Sequence, residues 1–157
     1  MNELDFGMFD GSVRTFLEHF RKQEERKKEV KDGKRIGEWF EYHMNGQVYR
    51  KGNYKAGKLD GYWEECNDSG QLIGKENYKY GIQDGLWEEY HWRSVQLREK
   101  VTYKNGERDG LWEKYSEDGQ LIAKGNYKDG RKHGQWTKWN DNGKIWFEEF
   151  YQNVNKM

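Results

Sequence analysis

The sequence predicts an all-β repeat array, an elongated sheet of about five 24-residue β-hairpin units behind an N-terminal capping helix. Three observations predict it. The stretch Tyr54 to Glu65, YKAGKLDGYWEE, returns as Tyr78 to Glu89, Tyr103 to Lys114 and Tyr127 to Lys138, and a worn copy opens at Val30. From Val30 through Tyr54, Tyr78, Tyr103 and Tyr127 to Tyr151 the spacings are 24, 24, 25, 24 and 24, and a fixed period of this size means stacked copies of one supersecondary unit. The 157 residues include 19 Gly and no Pro, so Gly makes the turns and no residue lacks a backbone donor.

The composition also fits an ordered array. Leu, Ile, Val and Phe number 26, about 17% of the chain, a level that reads as disorder when net charge is high. Net charge is zero, and 8 Trp with 11 Tyr supply apolar surface, each buried aromatic removing ~150–250 Å² from water.

Residues 1–29 form the N-terminal segment. Ser12 can cap a helix running to Glu29, in which Val13, Phe16, Leu17 and Phe20 make one apolar stripe. Its second half is almost wholly charged. The helix is expected to cover the first open edge of the sheet. A helix that docks a partner is the rival reading; the need of arrays for end caps favours the cap.

Residues 30–157 form the array. The first strand of each unit is Gly-x-Trp-x-x-Tyr or a variant: Gly37 to Tyr42, Gly61 to Cys66, Gly85 to Tyr90, Gly110 to Tyr115 and Gly134 to Trp139. In four units a turn follows at Asn45-Gly46, Ser69-Gly70, Asp118-Gly119 or Asn142-Gly143, strong hairpin signals. The second strand starts at Gln47, Gln71, Gln96, Gln120 or Lys144, and a Gly-rich turn leads to the next unit. Period two puts Trp39, Trp63, Trp87, Trp112 and Trp136 on one face and Tyr42, Cys66, Tyr90, Tyr115 and Trp139 on the other. It also predicts that Val48, Leu72, Leu97, Leu121 and Ile145 share a face with Tyr54, Tyr78, Tyr103, Tyr127 and Tyr151. The third unit departs from the rule: His91, Trp92, Arg93, Ser94 and Val95 carry one extra residue and no Gly. The fifth has Trp139, Trp146, Phe147 and Phe150 in place of smaller or charged residues.

The unit Tyr-Lys-x-Gly-Lys-x-Asp-Gly-x-Trp-Glu-x-Tyr, closed by Asn/Asp-Gly-Gln-Leu, resembles the bacterial variant of the MORN (membrane occupation and recognition nexus) repeat, in the form found in YwqK-type antitoxin or immunity proteins. The resemblance covers residues 30–152. It implies a chain of β-hairpins with a non-catalytic binding role, and in the YwqK-type members neutralisation of a cognate toxin by direct contact. In MORN proteins more widely it implies lipid or scaffold binding. It brings no catalytic residues.

No enzyme is expected from the residues. His19, His43, His91 and His133 lack metal-ligand spacing, and His133 reads as a turn substitution at the place of Asp60, Asp84 and Asp109. Cys66 reads as a half-buried thiol in a ladder position, with no basic partner fixed beside it; as the one Cys it excludes an intramolecular disulfide. The Glu64/Glu65 and Glu88/Glu89 pairs point to opposite faces of a strand and cannot flank one bond. No cofactor and no metal is expected.

Partners follow from charge and aromatics. The 28 basic and 28 acidic residues alternate, leaving no basic stripe for nucleic acid or for acidic lipid. Neither a secretory leader nor a membrane span is visible, so a soluble cytoplasmic protein is expected. The Trp rows are first a structural ladder. His91, Trp92 and Arg93 break the repeat rule and are candidates for partner binding, with a tolerated bulged turn as the alternative. Trp139, Trp146, Phe147 and Phe150 follow, with a hydrophobic end cap as theirs. The expected partner is a protein, a toxin if the resemblance holds; a lipid-binding scaffold and a carbohydrate-binding module are the alternatives. The open end at Tyr151 can also pair with a second chain as an edge-strand dimer.

Overall fold

The computed structural model describes residues 29–152. They form one open antiparallel sheet of twelve strands: β1 (Glu29–Lys31), β2 (Lys34–Tyr42), β3 (Val48–Lys55), β4 (Lys58–Cys66), β5 (Leu72–Lys79), β6 (Ile82–Gln83), β7 (Gly85–Tyr90), β8 (Leu97–Lys104), β9 (Glu107–Tyr115), β10 (Leu121–Lys128), β11 (Arg131–Trp139) and β12 (Ile145–Tyr151). Strands neighbour one another in chain order, except that β7 pairs with β5 and the short β6 pairs beside it. Eleven strands side by side at about 4.8 Å span roughly 50 Å. The helix expected over 12–29 lies outside the described residues except for Glu29, which is the first residue of β1. No helix occurs among the described residues, hence none long and apolar enough to cross a membrane.

Five hairpins imply ten strands, and twelve are present among the described residues. β1 is the remnant of a preceding second strand, and β6 is the front of a first strand cut off at Asp84. The first strands also begin earlier than Gly-x-Trp implies. In β4 the chain is already extended at Lys58, and Gly61 sits within the strand with φ +79°. The register explains it. Gly52 faces Trp63, yet Asn53 faces Asp60, so Gly61 and Tyr62 bulge out of the pairing. The same two-residue shift recurs between β8 and β9 and between β10 and β11. The Gly of Asp-Gly-x-Trp is therefore a bulge residue, and the left-handed backbone there requires Gly.

The tight turns end four residues before that Gly. Asp32-Gly33, Ala56-Gly57, Tyr80-Gly81, Asn105-Gly106 and Asp129-Gly130 all have positive φ at both residues, the two-residue turn whose twist matches the strands it joins. At the other end of each hairpin only the Gly is left-handed: Gly46, Gly70, Gly119 and Gly143 have φ of +70° to +84°, each donating its N–H to the carbonyl three residues back, as Gly46 does to His43 (2.9 Å). This is a three-residue loop with a G1 bulge. In the third unit Ser94 donates to His91 instead (3.2 Å), and no residue of the loop has positive φ. One added residue, Val95, stands in for the missing left-handed Gly.

The predicted separation of Trp39 from Tyr42 holds. The predicted sharing of a face by Val48 and Tyr54 does not. Tyr42 pairs with Val48 but Glu41 pairs with Arg50, which leaves Tyr49 as a one-residue bulge, and Ile73, Arg98, Ile122 and Trp146 hold the same place in the other units. One extra residue reverses the alternation. Val48, Leu72, Leu97, Leu121 and Ile145 thus pair with Tyr42, Cys66, Tyr90, Tyr115 and Trp139, while Tyr54 and its counterparts join the Trp face.

That Trp face is the core. Trp and Tyr rings meet edge to face in the first units, with centroids 5.7 Å apart for Trp39–Tyr54 and 5.2 Å for Tyr54–Trp63, while Trp112 stacks on Trp136 at 5.1 Å. Cations lie over them: Arg35 is 4.6 Å above Trp39, Arg50 4.9 Å above Trp63 and Lys132 4.5 Å above Trp136. Trp63 donates Nε1–H to the Asn53 carbonyl at 3.1 Å, and Trp136 does the same to Asn126. Two of the indoles cover a glycine on the preceding strand. Trp63 and Trp136 lie on Gly52 and Gly125, where a Cβ would come within 2.2 Å of the ring, and are 0% and 3% exposed. Trp87 and Trp112 sit in units whose corresponding residues are Glu76 and Val101, and are only half-buried.

The opposite face is polar and carries a charge row. Lys51, Glu64, Lys75, Glu88, Lys100, Glu113 and Lys124 follow one another across the sheet in register. Contacts are 2.6 Å for Lys51–Glu64, 2.7 Å for Lys100–Glu113 and 3.4 Å for Lys124–Glu113.

Successive units are latched at the tight turns. The Gly57 N–H bonds to the Arg35 carbonyl (2.8 Å) and that of Gly81 to Leu59 (2.7 Å). The carboxylates of Asp60, Asp84 and Asp109 accept the N–H of Tyr80, Asn105 and Asp129 at 3.2–3.3 Å. His133 takes this position in the last unit, and no further turn follows it among the described residues.

Candidate functional site

The junction of the second and third units differs from the others. β5 and β7 pair only through Gly74 with Glu89 and Lys75 with Glu88, because the front of the strand is broken at Asp84. Between them on the Trp face lies a cleft of about 430 Å³, lined among others by Glu65, Glu76, Glu89, Trp87, Trp92 and Arg98.

The third-unit loop forms its rim. Trp92 is 56% exposed, while its carbonyl accepts Nδ2–H of Asn67 at 3.3 Å. Asn67 is 2% exposed; its Oδ1 also takes the N–H groups of Ser69 (3.1 Å) and Gln71 (2.9 Å). The loop therefore rests on a saturated polar anchor and lifts the indole clear. His91 lines the same cleft, its Nε2 3.2 Å from the Tyr115 carbonyl. His43 makes the matching contact to Cys66 at 2.8 Å, so the two equivalent histidines tie loop to loop.

Carboxylates crowd the floor. Glu76 pairs with Arg50 and accepts the Tyr78 hydroxyl proton at 3.0 Å; Glu89 pairs with Arg98. Burial raises the Glu65 carboxyl above its usual range and the charges of Glu76 and Glu89 add to this, against the pull of Arg50. The Tyr78 hydroxyl, buried beside Glu76, is pushed up to about 12. An acidic, aromatic cleft of this kind can hold a cationic or polar side chain.

The nominated residues fall into two places. His91 and Trp92 join the cleft, while Arg93, exposed in the same loop, is not among its lining residues. Trp139, Trp146, Phe147 and Phe150 lie on the last hairpin, with β9 and β10 between them and the third-unit hairpin. Trp139 pairs with Ile145; Trp146 and Phe150 are 62% and 67% exposed, with Lys138 Nζ 5.5 Å from the Trp146 ring and 5.2 Å from that of Phe147. Glu65 and Glu89 were weighed in sequence only as members of adjacent pairs, and Glu76 and Arg98 went unnoticed. Unit alignment would have flagged Arg98, since Tyr49, Ile73, Ile122 and Trp146 stand at its place.

For Cys66, burial followed by Glu64 and Glu65 raises the thiol above its usual value, against the pull of Lys51, which keeps it protonated at neutral pH. Among the described residues no three His, Cys, Asp or Glu side chains gather as a metal site would require.

No curated protein matches the sequence. Residues 35–56, 108–129 and 132–153 match the MORN repeat variant family. The windows share one frame, each running from a first strand through the three-residue loop to the next tight turn, or past the last strand in the third. The units between them, unmatched, contain Cys66 and the altered loop. The chain is thus a hairpin array that carries MORN-variant repeats in its first, fourth and fifth units.

Proposed function

We infer that this array is a non-catalytic scaffold that binds another protein, with the third-unit loop and its cleft as the contact. The supporting observation is Trp92: a large aromatic, 56% exposed, held up by a buried Asn67 beside a cleft, in the one loop that departs from the repeat. Exposed aromatics next to a pocket are what interface anchors require. The narrower form of the reading is an antitoxin or immunity protein that neutralises a toxin by direct contact, and it rests on the resemblance to YwqK-type proteins. Lipid binding has less support, because many of the Lys and Arg side chains are committed to cross-strand carboxylates, leaving little field for an acidic surface.

The test is capture of a partner from the native cells by the tagged protein, beside a variant with Trp92→Ala and Arg93→Ala. A stoichiometric protein that the wild type holds and the folded variant releases supports the reading, and toxicity of that protein alone, relieved by co-expression, supports the antitoxin form. Sedimentation with acidic vesicles or a glycan-array signal, without a protein partner, would replace it.

A further inference from the structure

The outer edge of the last strand is another surface left open among the described residues. Among the described residues nothing pairs with that side of β12. The strand is seven residues long, IWFEEFY, and has neither Lys nor Pro, two devices that blunt an open edge. Ile145, Trp146 and Phe150 are 54%, 62% and 67% exposed.

Its charges run against the pattern of the sheet. In the polar-face row the second strands present Lys51, Lys75, Lys100 and Lys124, and the first strands that follow them bring Glu64, Glu88 and Glu113, with Thr137 last. At β12 the corresponding residue is Glu148. Another unit of this kind would set a Glu against Glu148, and like charges directly opposite repel. On the Trp face, Glu149 holds the position of Gly52, Glu76 and Gly125. Where that position is Glu76, Arg50 neutralises it. Glu149 has only the Tyr151 hydroxyl (2.5 Å), and Glu148 only the Gln135 amide (3.0 Å). Both are neutral donors; Lys132 reaches Glu149 only through the Tyr151 hydroxyl (3.4 Å), so among the described residues neither carboxylate has a direct ion pair.

We propose that the open edge of β12 is a strand-addition site for an extended segment of another protein carrying two adjacent basic residues between apolar ones. Neighbouring residues of the incoming strand point to opposite faces, so one base meets Glu148 and the other Glu149, while its apolar residues lie along Trp146 and Phe150. Main-chain hydrogen bonds supply affinity and the side chains supply choice. A second copy is the poorer occupant, because β12 against β12 brings Glu148 and Glu149 towards their own counterparts. The inference rests on the protein-binding reading above and gives that partner, or another, a second surface.

The test uses the full chain and two labelled seven-residue peptides, one with two central lysines flanked by valines and one with two central glutamates. Wild type is expected to bind the lysine peptide at least about tenfold more tightly, the sum of two exposed charge pairs turned from repulsive to attractive. The variant Glu148→Lys with Glu149→Lys should reverse the preference, its fold checked by circular dichroism and Trp emission. An unreversed preference, no binding of either peptide at millimolar concentration, or a wild-type dimer that the charge swap dissolves would overturn the proposal. The two readings fail separately: a partner lost with Trp92 and Arg93 but kept by the charge-swapped variant, which also binds both peptides alike, removes only the edge site. A clean peptide reversal with no cellular protein captured removes only the partner reading.

Discussion

Replacing Gly52 by Ala tests the core directly. A Cβ at Gly52 would stand 2.2 Å from Cδ2 of Trp63 and 2.4 Å from Cε2 and Cγ, where non-bonded carbons rest at ~3.5–4.0 Å. The ring must retreat by more than 1 Å. Trp63 is 0% exposed and held by its bond to Asn53, so retreat loses that bond, about 1 kcal/mol, and adds overpacking strain of about 1–3 kcal/mol. The expected destabilisation is roughly 2–4 kcal/mol. Gly74→Ala is the control: it lies on another second strand, with a Cβ 3.5 Å from that of Glu65 and 3.9 Å from the Glu88 carbonyl, ordinary contact distances. It should be neutral, or gain up to ~1 kcal/mol through the unfolded state. Urea titrations followed by both circular dichroism and Trp emission measure the two variants. Equal midpoints for them would refute the account of why Trp63 needs a glycine beneath it.

Other outcomes follow from the turns and the charge row. Asp84→Ala removes the acceptor of the Asn105 N–H and should cost about 1 kcal/mol in thermal unfolding. Ala56, left-handed with φ +50°, carries a side chain that disfavours that conformation; Ala56→Asn should raise the unfolding free energy from urea titration by up to ~1 kcal/mol. Glu113 lies between Lys100 and Lys124; burial opposes its ionisation, but bonds from Lys100 and Tyr115 and the lysine charge hold its carboxyl below the usual range. A depressed carboxylate stabilises the fold above its unfolded value and ceases to do so as pH falls through its folded value. Glu113→Gln should therefore lower the unfolding free energy at pH 7 by about 1 kcal/mol, and the gap from wild type should close as the pH falls below about 4.5, the ordinary value for Glu.

The period and the Trp row were legible because each is a simple recurrence. The faces of the second strands were not, because period-two counting assumes an unbroken strand and the bulges at Tyr49, Ile73, Arg98, Ile122 and Trp146 each add a residue. Nothing about Tyr or Ile announces a bulge, whereas the Gly at the second kind of bulge was visible but looked like a turn. Trp92 and His91 stood out in sequence by breaking the pattern. The cleft beside them did not, since it needs Glu65, Glu76 and Glu89 from three strands and the loss of pairing at Asp84. The charge row was within reach of unit alignment: Lys51, Lys75, Lys100 and Lys124 recur at the period itself.

The thin pairing between β5 and β7 has a mechanical consequence. Every strand holds only its neighbours, so tension applied at the two ends passes through each junction in series, and the weakest yields first. Among the junctions between full hairpins that one is between Lys79 and Gly85, where four paired positions stand against five or six elsewhere and a half-buried indole carries part of the load. The sheet would part there into two blocks, each still closed by its own hairpins. A ligand wedged in the cleft would touch both blocks, and so would act as a rivet across the place where the molecule breaks.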